Sequence, residues 1–348
     1  GEGRGGEAHP APRDAGGPHG HGHLVAIMWR VVGHPGAVRL LDRSLSEGRL
    51  AHAYLFTGPP HVGKTTLATD FFAAVNCGSP EPPCGECSQC MHVREGRHAD
   101  LLHLGVAEEE GRKAIGIDVV RDAAHQANLN PFEGRYRAII IEGAEHLTEE
   151  AANALLKLLE EPPERLLLVL LSASPDGVLA TIRSRCQRID LRPLATSAVA
   201  EALTTRWEVP EVTAGELASL SAGRLGWAVR AWEDPGILET RDRRLERLTA
   251  AAEGGIEERF AYAAELANLL PQQRTAVRET LDLWAEWWLE RLEAGIGGEM
   301  NGEAPGRGEL LQAVRDVLRT QDLLDRNVNP RLALEALMLA LPRASAER

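Results

Sequence analysis

The segment "GPPHVGKTT" (58–66) fits the pattern Gly-x-x-x-x-Gly-Lys-[Ser/Thr]. Glycines at its ends let the backbone wrap so that its N–H groups point at phosphate oxygens. Gly58 and Gly63 would form that cradle, Lys64 would bridge a β- and a γ-phosphate, and Thr65 would ligate Mg²⁺, with Thr66 beside it. The chemistry on offer is the holding of ATP or ADP with Mg²⁺. A second constellation follows at once. Four of the five cysteines, Cys77, Cys84, Cys87 and Cys90, lie within fourteen residues at the spacing Cys-x6-Cys-x2-Cys-x2-Cys. Four thiolates spaced like this close a tetrahedral Zn²⁺ site with no position left for water, which makes the metal structural. His92 and His98 are near, but four sulfurs already satisfy the ion.

A third stretch, "RAIIIEGAEHLTEEAANALLKLLEEPP" (137–163), bears on whether a bound nucleotide would be split. A hydrolysing phosphate-loop enzyme ends such a strand with an acid that assists Mg²⁺ and a second carboxylate that polarises water. Here the strand ends in Glu142 and then Gly143. Glu142 can assist the metal; Gly143 polarises nothing. Glu145 is the nearest substitute and would have to reach back from the loop. The site is therefore expected to hold nucleotide and to hydrolyse it poorly or not at all. In "TIRSRCQRIDLRPL", Arg183, Arg185 and Arg188 precede the last apolar strand. A fixed guanidinium can neutralise charge on a transferring phosphoryl group, including one bound to a neighbouring subunit. By pattern alone these arginines read as surface charge.

The elements that must position these groups form an alternating series. An amphipathic helix ends near Gly48, the strand "AYLF" precedes the phosphate loop, and a helix starts at Lys64. The strand "DLLHL" (100–104), a helix near 117–127, the strand "RAIII", a helix over 149–161, and the strands "LLLVLL" (166–171) and "QRIDL" (187–191) follow. Thr148 is the expected N-cap of the 149–161 helix, with Glu149 and Glu150 in its first turn and Pro162–Pro163 at its end. Ala152, Leu155, Leu156 and Leu159 make its apolar stripe, while Asn153, Lys157, Glu160 and Glu161 read as a solvated or interface face. Strands alternating with helices predict a parallel sheet covered on both faces. After Pro193 the pattern becomes short amphipathic helices. From about Ile237 to Pro342 it is helical, broken by "GIGGEMNGEAPGRG" (295–308). Leu281, Trp284, Trp288 and Leu292 fall on one helical stripe, a core or subunit contact. The expected divisions are a disordered Gly/Pro/His-rich tail (1–27), an α/β unit (28–194), a small helical unit (195–236) and an all-α unit (237–343). The tail carries "HGHGH", a metal-binding run or simply part of a floppy extension.

The totals set bounds. At 348 residues and a formal charge of −13, the chain is not expected to bind nucleic acid alone. Arg112, Lys113 and Arg121, near a helix start, are the motif that would support such binding. No apolar run approaches the ~18 residues of a membrane span, and no signal peptide is legible, so a cytoplasmic location and no membrane contact are expected.

Taken in order, "HAYLFTGPPHVGKTTLA", the four-cysteine insertion, "AANALLKLLEEPP" and "TIRSRCQ" resemble the bacterial clamp-loader ATPase family, the AAA+ subunits of the DNA polymerase III holoenzyme. The resemblance runs from about Met28 to Pro193; it thins afterwards and then rests on order and length. It implies an α/β P-loop AAA+ domain, a small helical lid and an all-α C-terminal collar. Two subunit types share that layout. The gamma/tau ATPase ends the strand in Asp-Glu, and the delta-prime subunit carries a degraded version, which Glu142-Gly143 resembles. Ala173 falls where the ATPase has a γ-phosphate-sensing Thr or Asn. The sensor arginine of the lid falls near Gly226, with Arg224 and Arg230 nearby. The resemblance thus implies a largely non-hydrolysing delta-prime-type subunit whose Arg185 is an arginine finger offered in trans to an adjacent gamma/tau site. It further implies a hetero-pentamer with gamma/tau and delta that places the sliding clamp on primed DNA. The alternative is a hydrolysing gamma/tau-type ATPase in which Glu145 replaces the missing acid.

Overall fold

The structure, a computed structural model, describes residues 29–105, 107–109, 112–294, 305–326 and 328–343. The tail with its "HGHGH" run and most of the 295–308 loop lie outside the described residues. The chain runs α1 (Pro35–Ser46), β1 (Ala53–Thr57), α2 (Lys64–Asn76), α3 (Ser88–Arg94), β2 (Leu101–Leu104), β3 (Ala107–Glu109), β4 (Arg112–Ala114), α4 (Ile117–Ala127), β5 (Arg137–Glu142), α5 (Glu149–Glu160), β6 (Leu166–Ser172), α6 (Ala180–Arg183) and β7 (Gln187–Asp190). Helices α7 (Thr196–Trp207), α8 (Glu211–Leu220), α9 (Leu225–Glu233), α10 (Gly236–Glu253), α11 (Ile256–Ala294), α12 (Arg307–Asp325) and α13 (Pro330–Ala340) complete it.

Five strands form one parallel sheet in the order β2-β5-β6-β1-β7. Every residue of β1 and β6 is buried, as continuous apolar runs require when both faces are covered. Side chains alternate between those faces. Tyr54, Phe56, Leu167 and Val169 meet Leu41, Phe71 and Phe72 of α1 and α2. Leu55, Leu168 and Leu170 meet Val120, Leu155 and Ile182 of α4, α5 and α6. Thr57 lies opposite Ser172 and Glu142 opposite Leu171, so the ends of β1, β5 and β6 align and the loops leaving them converge. In open α/β sheets that edge is where ligands sit.

The opposite edge is tied by two buried polar groups. The Asp100 carboxylate accepts the N–H groups of Phe132, Glu133 and Gly134 at 2.7, 2.8 and 2.9 Å and a guanidinium N–H of Arg137 at 3.0 Å. Asn76 Oδ1 accepts those of Arg135 and Tyr136.

Helix α5 starts as expected, with the Thr148 hydroxyl accepting the Ala151 N–H. Leu158 joins its buried face and Leu156 is only half buried. Three expectations need correction. Strands β3 and β4 pair as a short antiparallel hairpin that the sequence pattern did not show; Arg112 and Lys113 lie on β4, shortly before the start of α4, and Arg121 lies within that helix. The helical C-terminal stretch breaks additionally at Gly254–Gly255, at Arg326 and at 328–329. Helix α11 also kinks at Gln273 (φ −135°), two residues after Pro271, whose ring removes an amide donor. Helices α7–α9 enclose their own apolar cluster around Val199, Leu203, Ala214 and Leu225. Helices α10–α13 enclose another, in which Leu281, Trp284 and Trp288 are fully buried.

Candidate nucleotide and metal sites

The loop between β1 and α2 has a backbone that only glycine permits at two points. Gly58 has φ +149°, and a Cβ there would stand 2.2 Å from the Leu191 carbonyl oxygen. Gly63 has φ +103° and caps α2 with no side-chain hydrogen bond, which leaves the amides of the first turn facing outward for an anion. The Lys64 ammonium donates to the carbonyls of Gly58 and Pro59, the latter at 2.9 Å. Burial pulls its pKa down to about 8, against the attraction of Glu145 and then Glu142. Thr65 is exposed and Thr66 half buried on the same turn. Cradle, uncapped helix start and converging lysine fit a polyphosphate, and Thr65 sets an exposed hydroxyl beside them.

The acids around this loop are arranged unusually. Glu142 tops β5 with Oε1 3.8 Å from His103 Nδ1. Burial lowers the His103 pKa, and Glu142 opposes that shift. Gly143 sits in the left-handed region at φ +74°, ψ 48°, its N–H donating to the Leu171 carbonyl at 3.0 Å. A side chain at 143 would therefore be strained whatever its charge. Glu145 does reach back: Oε1 accepts the Ala173 N–H at 3.0 Å, and its charge is the stronger of the two carboxylate influences on Lys64. At Ala173 itself the side chain is only a methyl.

A wall that the sequence reading missed closes the loop from the other side. The Gly226 N–H, at the start of α9, donates to the His61 carbonyl at 2.9 Å, and a Cβ at Gly226 would lie 2.8 Å from that oxygen. Arg224 forms a two-point ion pair with Glu286 of α11 at 2.5 and 2.7 Å, so its charge is spoken for. Arg230 is exposed; with Arg224 and Lys64 it disfavours a charged His61 ring, after the loss of solvent around that ring. From the N-terminal side, a His34 ring nitrogen donates to the Val62 carbonyl at 2.9 Å, and Gly33 (φ +74°) packs on Leu194. The signal for this second wall was present in "RVVGH", whose glycine precedes a proline-led helix.

Arg185 follows α6. Its Nη1 donates to the Thr181 carbonyl at 2.9 Å and its Nη2 to Glu160 Oε1 at 2.8 Å, with 37% of the side chain exposed. Arg183 pairs with Asp176. Arg188, which lies on β7 itself rather than before it as expected, pairs with Asp190, which also takes the Thr57 hydroxyl.

The four cysteine sulfurs converge, all within 4.8 Å of one another, with Cys77 and Cys87 Sγ 3.9 Å apart. Tetrahedral Zn–S bonds of about 2.3 Å place sulfurs roughly 3.8 Å apart, so the cage fits that ion. Backbone N–H groups of Ser79 and Cys84 point at Cys77 Sγ, and that of Cys87 at Cys84 Sγ. Amides of Glu86 and Cys87 draw the Cys84 thiol down to about 7, while burial raises Cys77 and Cys90. Both neighbouring histidines are engaged elsewhere. His92 meets Glu133 at 2.8 Å, and His98 sits between Gln89 Oε1 and the Asp100 amide. The cage thus ties the cysteine segment to the edge of the sheet opposite the phosphate loop. Among the described residues no helix is long and apolar enough to cross a membrane.

Residues 33–195 match the family model described as "DNA polymerase III, delta subunit". The tau subunit of Bacillus subtilis is 31% identical over 230 residues, covering 66% of this chain and 35% of that protein. The tau/gamma subunit of Haemophilus influenzae is 29% identical over 338 residues (93% and 44%), and the tau subunit of Escherichia coli 35% over 179 (49% and 27%). The chain therefore spans less than half the length of these relatives. A solved gamma-subunit-related protein from Thermotoga maritima aligns over 86% of this chain and 97% of its own at 19% identity, TM-score 0.44. The chain is thus similar in sequence to gamma/tau subunits of DNA polymerase III, and its fold is built on a five-stranded parallel α/β sheet.

Proposed function

We propose that the chain is a delta-prime-type subunit of the bacterial clamp loader. It holds ATP or ADP with Mg²⁺ on Gly58, Gly63, Lys64, Thr65 and Thr66, with Glu142 toward the metal, and turns the nucleotide over weakly or not at all. Its Arg185 acts in trans on the ATP site of an adjacent gamma/tau subunit. Residues 195–236 serve as the lid and 237–343 as the collar through which gamma/tau and delta assemble into a hetero-pentamer. The assembly works in the cytoplasm, placing the sliding clamp on primed DNA during chromosome replication. Cys77, Cys84, Cys87 and Cys90 hold a structural Zn²⁺.

The observation that carries the reading is Gly143. The position that would bear the water-polarising carboxylate has no side chain and a backbone conformation that resists one. Gly226, seated on the His61 carbonyl, likewise leaves no room for a sensing arginine in this arrangement. Steady-state phosphate release by the purified chain, alone and mixed with its gamma/tau partner, tests this. Turnover is expected only in the mixture. Turnover by the chain alone that Lys64→Ala abolishes overturns it.

The second reading, a hydrolysing gamma/tau-type ATPase, is favoured by one observation: Glu145 reaches the Ala173 amide and its charge acts on Lys64. Loss of intrinsic turnover in Glu145→Gln would establish that alternative.

A further inference from the structure

We infer that Glu160 is the positioning residue of Arg185, holding its guanidinium in a fixed plane with one edge left open to a neighbour. This rests on the reading of Arg185 as a finger in trans. Arg185 sits on a short connection between α6 and β7, where its local partners hold only the Nη1 side of a long side chain. Two contacts from different elements restrain it in the fold. Nη1 donates to the Thr181 carbonyl, which is fixed because Ile182 beside it is fully buried. Nη2 donates to Glu160 Oε1 at 2.8 Å. Glu160 is the last residue of α5, next to buried Leu158 and Leu159 and two residues before the terminating prolines, so its Cα is well anchored. Nη1 also lies 3.5 Å from the Ser184 hydroxyl. A guanidinium has five N–H groups; these contacts occupy the Nη1 side and one N–H of Nη2, and leave Nε–H and the other Nη2 N–H along one edge.

Stability does not account for the pair. Glu160 is 52% and Arg185 37% exposed, and an ion pair so hydrated contributes little. A carboxylate in the last turn of a helix is also the wrong sign for the helix dipole, which favours cations there. An acid kept where the helix disfavours it, and aimed at a single guanidinium, is explained by orientation. The rotamer freedom of a long arginine is removed before a phosphoryl group arrives, so less is lost when the transition state is met.

The test uses the complete loader reconstituted with gamma/tau, comparing kcat and KM for ATP with wild-type, Arg185→Ala, Glu160→Ala and Glu160→Gln chains. Assembly is checked by gel filtration. Arg185→Ala is expected to remove the turnover that this chain stimulates. Glu160→Ala should lower kcat about three- to tenfold with KM unchanged, because binding of ATP by the neighbour is untouched while the finger loses its orientation. Glu160→Gln, which retains an acceptor oxygen at the same reach, should restore most of the rate. Unaltered kcat in Glu160→Ala beside a strong loss in Arg185→Ala overturns the positioning role alone. A rise in kcat in Glu160→Ala also overturns it, making the carboxylate a restraint. No effect of Arg185→Ala overturns the finger itself.

Discussion

Lys64 gives the sharpest quantitative handle on the phosphate loop. Its pKa falls from 10.5 to about 8, chiefly because the ammonium is buried under the loop carbonyls. At 1.36 kcal/mol per pKa unit, keeping the lysine charged in the folded state costs about 3 kcal/mol. The sign is that of a depressed cation: the cost is present below pH 8 and is relieved as the pH rises toward 10.5 and the folded state sheds its proton. Polyphosphate reverses the preference, since it stabilises the ammonium and raises its pKa again. Binding above pH 8 must therefore take up a proton. If only the protonated loop binds, the competent fraction falls from about three-quarters at pH 7.5 to about one-tenth at pH 9, a roughly eightfold loss of affinity. A fluorescent ADP analogue titrated into the full chain at these two pH values measures it; nucleotide phosphates are fully ionised at both. Lys64→Arg, whose guanidinium does not titrate in this range, should bind with no such pH dependence. Equal wild-type affinity at the two values would refute the electrostatic argument. An absence of binding at either would instead refute the nucleotide site.

The cysteine cage should hold one zinc ion per chain by metal analysis, and chelation or Cys84→Ser should lower the melting temperature; a metal-free chain with unchanged melting would remove the zinc assignment. Asp100→Asn should destabilise by about 2–4 kcal/mol in denaturant titrations at neutral pH, since a buried carboxylate there answers three amides and Arg137. Burial opposes ionisation at Asp100, but those donors outweigh it and hold the pKa below 3.8. Its contribution is therefore complete above pH 3.8 and lost as the pH falls through the lower folded value, so the gap between wild type and variant should close only in that acid range. Gly226→Ala should cost about 1–3 kcal/mol because its methyl meets the His61 carbonyl, a backbone atom that cannot rotate away; unchanged stability would mean that α9 does not seat on the loop.

What was legible in the sequence follows from which signals are local. Strands β1, β5 and β6 stood out because a sheet covered on both faces needs unbroken apolar runs. The phosphate loop and the cysteine cage were legible because each is assembled from one short segment, so spacing alone reports geometry. Hairpin strands β3 and β4 escaped because "AEE" and "RKA" carry no apolar alternation. The docking of Gly226 on His61, the capture of Arg224 by Glu286 and the pairing of Glu160 with Arg185 escaped for another reason. Each joins segments far apart in the chain, where no periodicity links the partners. Glu145 lies between these cases. Its candidacy was visible from position, but its actual partner, the Ala173 amide, depends on how the ends of β5 and β6 align.

On the proposed reading, three glycines around the loop would let a nucleotide site keep its grip without its chemistry. Gly58 approaches Leu191 so closely that the cradle could not form with any other residue, so the binding half of the site depends on a missing side chain. Gly143 and Gly226 use the same property to the opposite effect. One turns the chain through the left-handed region where a carboxylate would be carried, and the other lets α9 settle onto the loop where a sensing cation would stand. On the reading proposed above, the deficit is therefore held in the backbone as much as in the side chains. Replacing Gly143 with Glu would strain the turn by about 1–2 kcal/mol, and replacing Gly226 with Arg would lift α9 from the loop. Adding back either group perturbs the surface on which the other has to act. The groups that remain well placed, Lys64 under its carbonyls and Arg185 between Thr181 and Glu160, are those that need no catalytic partner within this chain.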